Sequence, residues 1–223
     1  MSERISLKNQ VAFRLVNSKF PPETLFDDVA DAAEFEAVYA IQALTNPRIQ
    51  NDIGNLNLIP KEQIPFGIDG VNYVTAPFTH ANPDGSRFSD GSYGVLYLAE
   101  HMKTAIAETR HHQQKYFQNI PNLHFDSITM RGIVVNFSSS LFEGSQRKDI
   151  HDPDNYAPAI LFAKDLLKKG ETGIQYNSVR MKDSLCWALF SPMGVHSAIQ
   201  SKHFEFVFDG VEISTVREIT SLD

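Results

Sequence analysis

The sequence predicts one mixed domain of the α+β class, with a partly antiparallel sheet. Three observations predict it. Segments rich in strand formers outnumber those with helical spacing, and some are joined by short linkers. No internal repeat or low-complexity stretch interrupts the 223 residues. A chain of this size buries roughly 70% of its unfolded surface, enough for one sizeable core.

Val11-Ala-Phe-Arg-Leu-Val16 alternates and reads as a first strand carrying Arg14, stopped by Pro21-Pro22. A helix is expected over 24–44, with Asp27, Asp28 and Asp31 near its positive end and Asn46-Pro47 closing it. Residues 46–70, with Pro47, Pro60 and Pro65, read as ordered loop containing a helical turn. Val71-Asn-Tyr-Val-Thr-Ala76 reads as a second strand, followed by a polar, glycine-rich loop over 79–93. Gly94-Val-Leu-Tyr-Leu-Ala99 is a short buried strand and 104–116 a helix. Residues 128–137 form another strand. Asp152-Pro-Asp-Asn makes a turn and cap before a helix over 157–169, whose Ile160, Leu161, Ala163, Leu166 and Leu167 recur at helical spacing. Lys168, Lys169 and Gly170 suit its C-terminus. Strands over 173–176, 186–190 and 203–208 complete the expectation.

Composition narrows function. With 42% hydrophobic and 21% charged residues the chain reads as an ordinary soluble protein, and its net charge of −7 argues against a general nucleic-acid binder. No stretch approaches the ~18 apolar residues of a membrane span, and Met-Ser-Glu-Arg-Ile-Ser lacks the apolar core of a signal peptide. The single cysteine, Cys186, lies in an apolar run and reads as a buried small hydrophobe, which fits a reducing cytoplasm.

The segment 85–108 is the most informative. It sets Arg87 in a polar loop, Tyr97 in a strand and Glu108 in a helix, a cation, an aromatic hydroxyl and a carboxylate suited to an anionic ligand containing a ring. Ser178 lies just past a strand, where loops present functional groups, without a Gly-x-Ser-x-Gly elbow. His101, His111 and His112 stand near Glu108 but in no His-Glu-x-x-His pattern, so no metal is expected. No Gly-x-Gly-x-x-Gly or Walker loop is present.

Phe13-Arg14-Leu-Val, Phe20-Pro-Pro, Ala43-Leu-Thr-Asn-Pro-Arg48, Ala76-Pro-Phe-Thr-His80, Ser86-Arg-Phe-Ser-Asp-Gly-Ser-Tyr-Gly-Val-Leu-Tyr97, Ala105-Ile-Ala-Glu108 and Tyr176-Asn-Ser-Val-Arg180 together resemble the longer form of the RES-domain proteins over nearly the whole chain. The family's Gly-Gly-Arg-Trp stretch reads Gly-Ser-Arg-Phe here, and residues 23–70 are a longer helical and loop elaboration than in compact members. The resemblance assigns Arg87, Glu108 and Ser178 to the family's name-giving arginine, glutamate and serine, with Tyr97 accompanying them. It implies a fold similar to the ADP-ribosyltransferases, with two small sheets around an NAD cleft and flanking helices. It also implies a bacterial toxin that consumes NAD as substrate by hydrolysis or phosphorolysis, partnered by an Xre-type helix-turn-helix antitoxin. In that reading Glu108 supports the transition state, Arg87 with Arg14 anchors the pyrophosphate, Tyr97 borders the nicotinamide, and Ser178 positions the ribose or the nucleophile. Protein ADP-ribosylation and a non-catalytic NAD-binding module remain open as alternatives, and a homodimer is possible.

Overall fold

The structure, a computed structural model, describes residues 4–19, 29, 31–45 and 54–220. Seven strands form one sheet in the order β1-β2-β5-β4-β3-β6-β7: β1 (Arg4–Asn17), β2 (Leu96–Ala99), β3 (Asp126–Glu143), β4 (Gly173–Asn177), β5 (Leu185–Leu189), β6 (Val195–Phe208) and β7 (Ile213–Ile219). The described helices are α1 (Ala32–Thr45), α2 (Val71–Thr79), α3 (Met102–Gln118) and α4 (Ala157–Lys168), joined by short 3-10 turns.

Two small sheets were expected, and the hydrogen bonding joins them into one. β3 is long enough to serve several neighbours. β1 runs antiparallel along one edge from Arg4↔Phe142 to Asn17↔Met130. On the other edge β6 pairs as far as Phe137↔Val195, and β4 takes over in parallel at Phe142↔Ile174. β2 and β5 close the circuit back to β1 through the single pair Phe13↔Ala99. The two halves are thus linked by very short ladders.

Both faces of the sheet are covered. Leu96, Leu98, Trp187 and Leu189 enter one core with Phe35, Val71, Val74 and Phe78, while Ala99, Cys186 and Ala188 enter another with Ala105, Ala159, Ala163 and Leu166. This is the period-two alternation of a strand sandwiched between helical layers.

The expected strand over 71–76 is instead the start of α2. Its β-branched residues favour a strand locally, but Val71, Val74 and Phe78 recur at helical spacing and are all buried. Tertiary contact also fixes its start. Gly70 has φ +71°, and a Cβ there would lie 1.8 Å from Ala198 O. The neighbouring Asp69 O accepts from Ala198 N at 2.8 Å, docking the helix start on β6.

Other expectations differ in extent. β1 and β3 run beyond 11–16 and 128–137, β6 begins at Val195 rather than at residue 203, and β7 was not anticipated. The first part of the helix expected over 24–44, including Asp27 and Asp28, lies outside the described residues, as do residues 46–53. Asp31 caps α1, its Oδ1 accepting from Ala33 N and Glu34 N, both at 2.9 Å. The expected helical turn in the proline-rich stretch is present as 3-10 turns at Leu56–Leu58 and Lys61–Gln63. Asp152 and Asn155 build the expected turn before α4: Asp152 Oδ1 accepts from Asp154 N and Asn155 N, and Asn155 Oδ1 from Ala157 N. The cap position itself is Tyr156, whose side chain makes no capping hydrogen bond.

Candidate active site

A cavity of about 450 Å³ opens where β1 and β2 share only their one register pair. Arg14 from β1, Arg87 from the polar loop, Tyr97 from β2 and Glu108 from α3 all line it. Ser178 does not: it stands behind Glu108, its Oγ donating to Glu108 Oε1 at 2.6 Å.

The loop bearing Arg87 is closed on itself. Ser86 N donates to Ser89 O at 2.7 Å, Ser89 Oγ to Tyr93 O at 2.6 Å, and Tyr93 Oη to Phe88 O at 2.5 Å. Gly94 lets the end of this loop press against α2, since a Cβ there would come within 2.3 Å of both Phe78 Cα and Pro77 O. Lys164 of α4 holds Asp90 from outside, and this pairing keeps the Asp90 carboxyl well below the usual carboxylate range.

Tyr97 serves the same loop. Its Oη accepts from Phe88 N at 2.9 Å and shares a hydrogen bond with Ser86 Oγ at 2.8 Å. Burial pushes its phenol up to about 12, so it is neutral at ordinary pH. Phe88 is fully buried, with Tyr97 stacked at 6.4 Å and Tyr176 edge-on at 4.9 Å.

Arg87 is only 7% exposed. Its Nη1 donates to Ile150 O at 3.0 Å and Asp152 O at 2.8 Å, and its guanidinium carbon sits 4.6 Å from the Tyr156 ring centroid. Arg14 contrasts with it: Nη1 is buried with no hydrogen-bond partner, and burial lowers the group to about 10. The cavity lining therefore carries two guanidinium groups and one carboxyl group bonded by a serine.

The sequence assigned no functional role to Tyr156 or Tyr176, and His112 was weighed only as a metal ligand; all three also line the cavity. Tyr156 is brought in by the turn before α4, far along the chain, and no local pattern marks it. Cys186 lines the cavity too, but burial pushes its thiol up to about 12, which leaves it unsuited to nucleophilic work. Among the described residues no cluster of three His, Cys, Asp or Glu side chains is arranged to hold a metal ion, and no helix is long and apolar enough to cross a membrane.

Residues 64–209 match the model of the RES domain, well over half of the chain. The chain belongs to the RES-domain family. The match takes in Arg87, Tyr97, Glu108 and Ser178 and begins after Arg14 and α1. This RES-domain chain is also similar to the uncharacterized protein y4oC of Sinorhizobium fredii (strain NBRC 101917 / NGR234), at 24% identity over 213 residues, 95% of this chain and 88% of that protein. Among solved structures, the crystal structure of the M. tuberculosis MbcT–MbcA toxin–antitoxin complex aligns with a TM-score of 0.38 and 8% identity, covering 55% of this chain and 74% of that one.

Proposed function

We infer that this chain binds NAD in the cavity and cleaves its nicotinamide–ribose bond, with water or phosphate as acceptor, as the toxin of a toxin–antitoxin pair. The observation that carries the reading is that Glu108 lines the same cavity as Arg14 and Arg87. A dinucleotide needs cations for its pyrophosphate and a carboxylate for the charge that develops at its ribose. The RES-domain membership supports the same reading, as does the resemblance of the family to the ADP-ribosyltransferases.

In the reaction the bond between ribose C1′ and the pyridinium nitrogen breaks, and its electron pair passes to the ring. Nicotinamide leaves neutral, so no acid is required to protonate it. Positive charge grows at C1′ and the ring oxygen, as in glycoside cleavage, and the Glu108 carboxylate stabilises it. An oxygen of water or phosphate then bonds to C1′, and a water proton is taken up by Glu108 or the solvent. Ser178 keeps Glu108 oriented through the 2.6 Å hydrogen bond. Tyr97 keeps its loop in shape and borders the ligand. Arg14 and Arg87 are the cations available to the pyrophosphate. A small antitoxin with an Xre-type helix-turn-helix would silence the protein by covering the cavity mouth, and the cytoplasm is where NAD and such a partner meet.

The test incubates purified protein with NAD, with and without phosphate, and separates the products by chromatography beside a Glu108→Gln control. Nicotinamide release that the control abolishes supports the reading, and the second product names the acceptor. ADP-ribose found on a protein instead would make the chain a protein ADP-ribosyltransferase. Tight NAD binding without turnover would make it a binding module.

A further inference from the structure

The two arginines of the cavity differ in what already occupies their donors. Arg87 Nη1 is committed to Ile150 O and Asp152 O, and the face of its guanidinium is covered by Tyr156. It thereby fixes residues 150–156, the strap leading into α4. Other groups clasp this strap as well. Arg180 Nη2 donates to Pro153 O at 2.6 Å, Lys115 Nζ to Asp154 Oδ1 at 3.1 Å, and Asn177 N to His151 Nε2 at 2.9 Å. Ile150 anchors the strap in the core, but four of the five residues 151–155 are exposed, so beyond Ile150 these clasps rather than core packing hold the strap in place.

Arg14 has no such commitments. Its Nη1 is buried without a partner, and no ion pair to it is found among the described residues. A guanidinium carries five donors in a planar fork suited to two oxygens of one phosphate. A half-buried cation with a buried, unpartnered donor beside a cavity is compensated when an anion enters.

We propose that Arg14 is the residue that takes the pyrophosphate of the substrate, and that Arg87 is a positioning residue that holds Tyr156 and the 150–156 strap against the cavity. The proposal rests on the NAD reading above. It reverses the division of labour that the motif order suggests, in which Arg87 is the phosphate anchor.

The test compares Arg14→Gln and Arg87→Gln on NAD and on nicotinamide riboside, which has the same scissile bond and no phosphate. Arg14→Gln is expected to raise KM for NAD tenfold or more, with a loss in kcat/KM on nicotinamide riboside at least tenfold smaller than that on NAD. Arg87→Gln is expected to lower kcat/KM on both substrates by similar factors and to speed amide hydrogen exchange in residues 150–156, which Arg14→Gln leaves protected. Equal losses on the two substrates in Arg14→Gln, or an NAD-selective loss in Arg87→Gln with exchange unchanged, would overturn the proposal. A calorimetric titration with inorganic pyrophosphate needs no turnover and separates this proposal from the NAD reading. Binding by the wild type that Arg14→Gln weakens tenfold supports the proposal even if NAD survives intact. Equal binding by both proteins, or none by the wild type, overturns it. Melting temperatures of both variants control for folding.

Discussion

Ser178 Oγ donates its one hydrogen to Glu108 Oε1 at 2.6 Å, while the backbone N–H groups of Arg180 and Met181 donate to that same Oγ at 3.2 and 2.9 Å. The two amides occupy the lone pairs of the hydroxyl and turn its proton toward the carboxylate. A turn after β4 and a helix seventy residues earlier are joined by one hydrogen bond at the edge of the cavity.

Ser178→Ala tests this link. A hydrogen bond to a charged group contributes about 1.5–3 kcal/mol, which corresponds to roughly 10–150-fold in rate if it orients Glu108 in the transition state. The expected result is a fall of that order in kcat for nicotinamide release, with Ser178→Thr retaining much of the wild-type rate. A Ser178→Ala enzyme within threefold of wild type would remove Ser178 from the mechanism.

Glu108→Gln keeps the side chain's size and removes its charge. Loss of one preorganised electrostatic group costs on the order of 10²–10³ in kcat. Turnover is expected to drop by at least that factor, while circular dichroism and melting temperature stay close to wild type. Undiminished turnover in a folded variant would take the carboxylate out of the chemistry.

Tyr97→Phe separates the hydroxyl from the ring. Phe88 N and Ser86 Oγ both lose their partner, and an unmet buried donor costs about 1–3 kcal/mol. For a chain of this length that corresponds to a fall of roughly 2–12 °C in Tm, to be read by thermal denaturation. An unchanged Tm would mean that the Arg87 loop holds its shape without this tether.

His111 makes stability depend on pH. Burial, followed by the charges of Arg180, His112 and Lys115, lowers it to about 4, with Asp154 opposing. Between about pH 6.5 and 4 the unfolded chain binds a proton at this position that the folded chain does not. Stability therefore falls as pH drops through this window and levels off below it. His111→Gln should flatten the slope of unfolding free energy against pH there, measured by urea titration at several pH values. An unaltered slope would assign the dependence to other groups.

Much of this architecture is legible in the sequence because local and tertiary preferences agree. α4 is readable since Asp152 and Asn155 build the turn that leads into it, its apolar residues keep helical spacing, and Gly170 ends it with φ +75°. β2 and β5 are readable because each is a short apolar run bounded by polar residues. The 71–79 segment misleads because β-branched residues suit either element, and docking against β6 decides in favour of the helix. β7 escapes notice because only Ile213 among its residues is buried, so its pattern carries little hydrophobic signal.

The sequence by itself determined which kinds of group the site would contain. Arg87, Tyr97 and Glu108 come from consecutive elements, and their proximity follows from chain continuity. Only the tertiary structure decided what each one does. Ser178 is put behind Glu108 rather than in the cavity, the hydroxyl of Tyr97 is taken up by the loop that carries Arg87, and Nη1 of Arg87 goes to the strap at residues 150 and 152. Tyr156 joins the wall and Arg14 is left with an open donor. The reason is physical: residue type sets the donors, acceptors and charge that a side chain can offer, whereas partners distant in the chain determine which of these are already used.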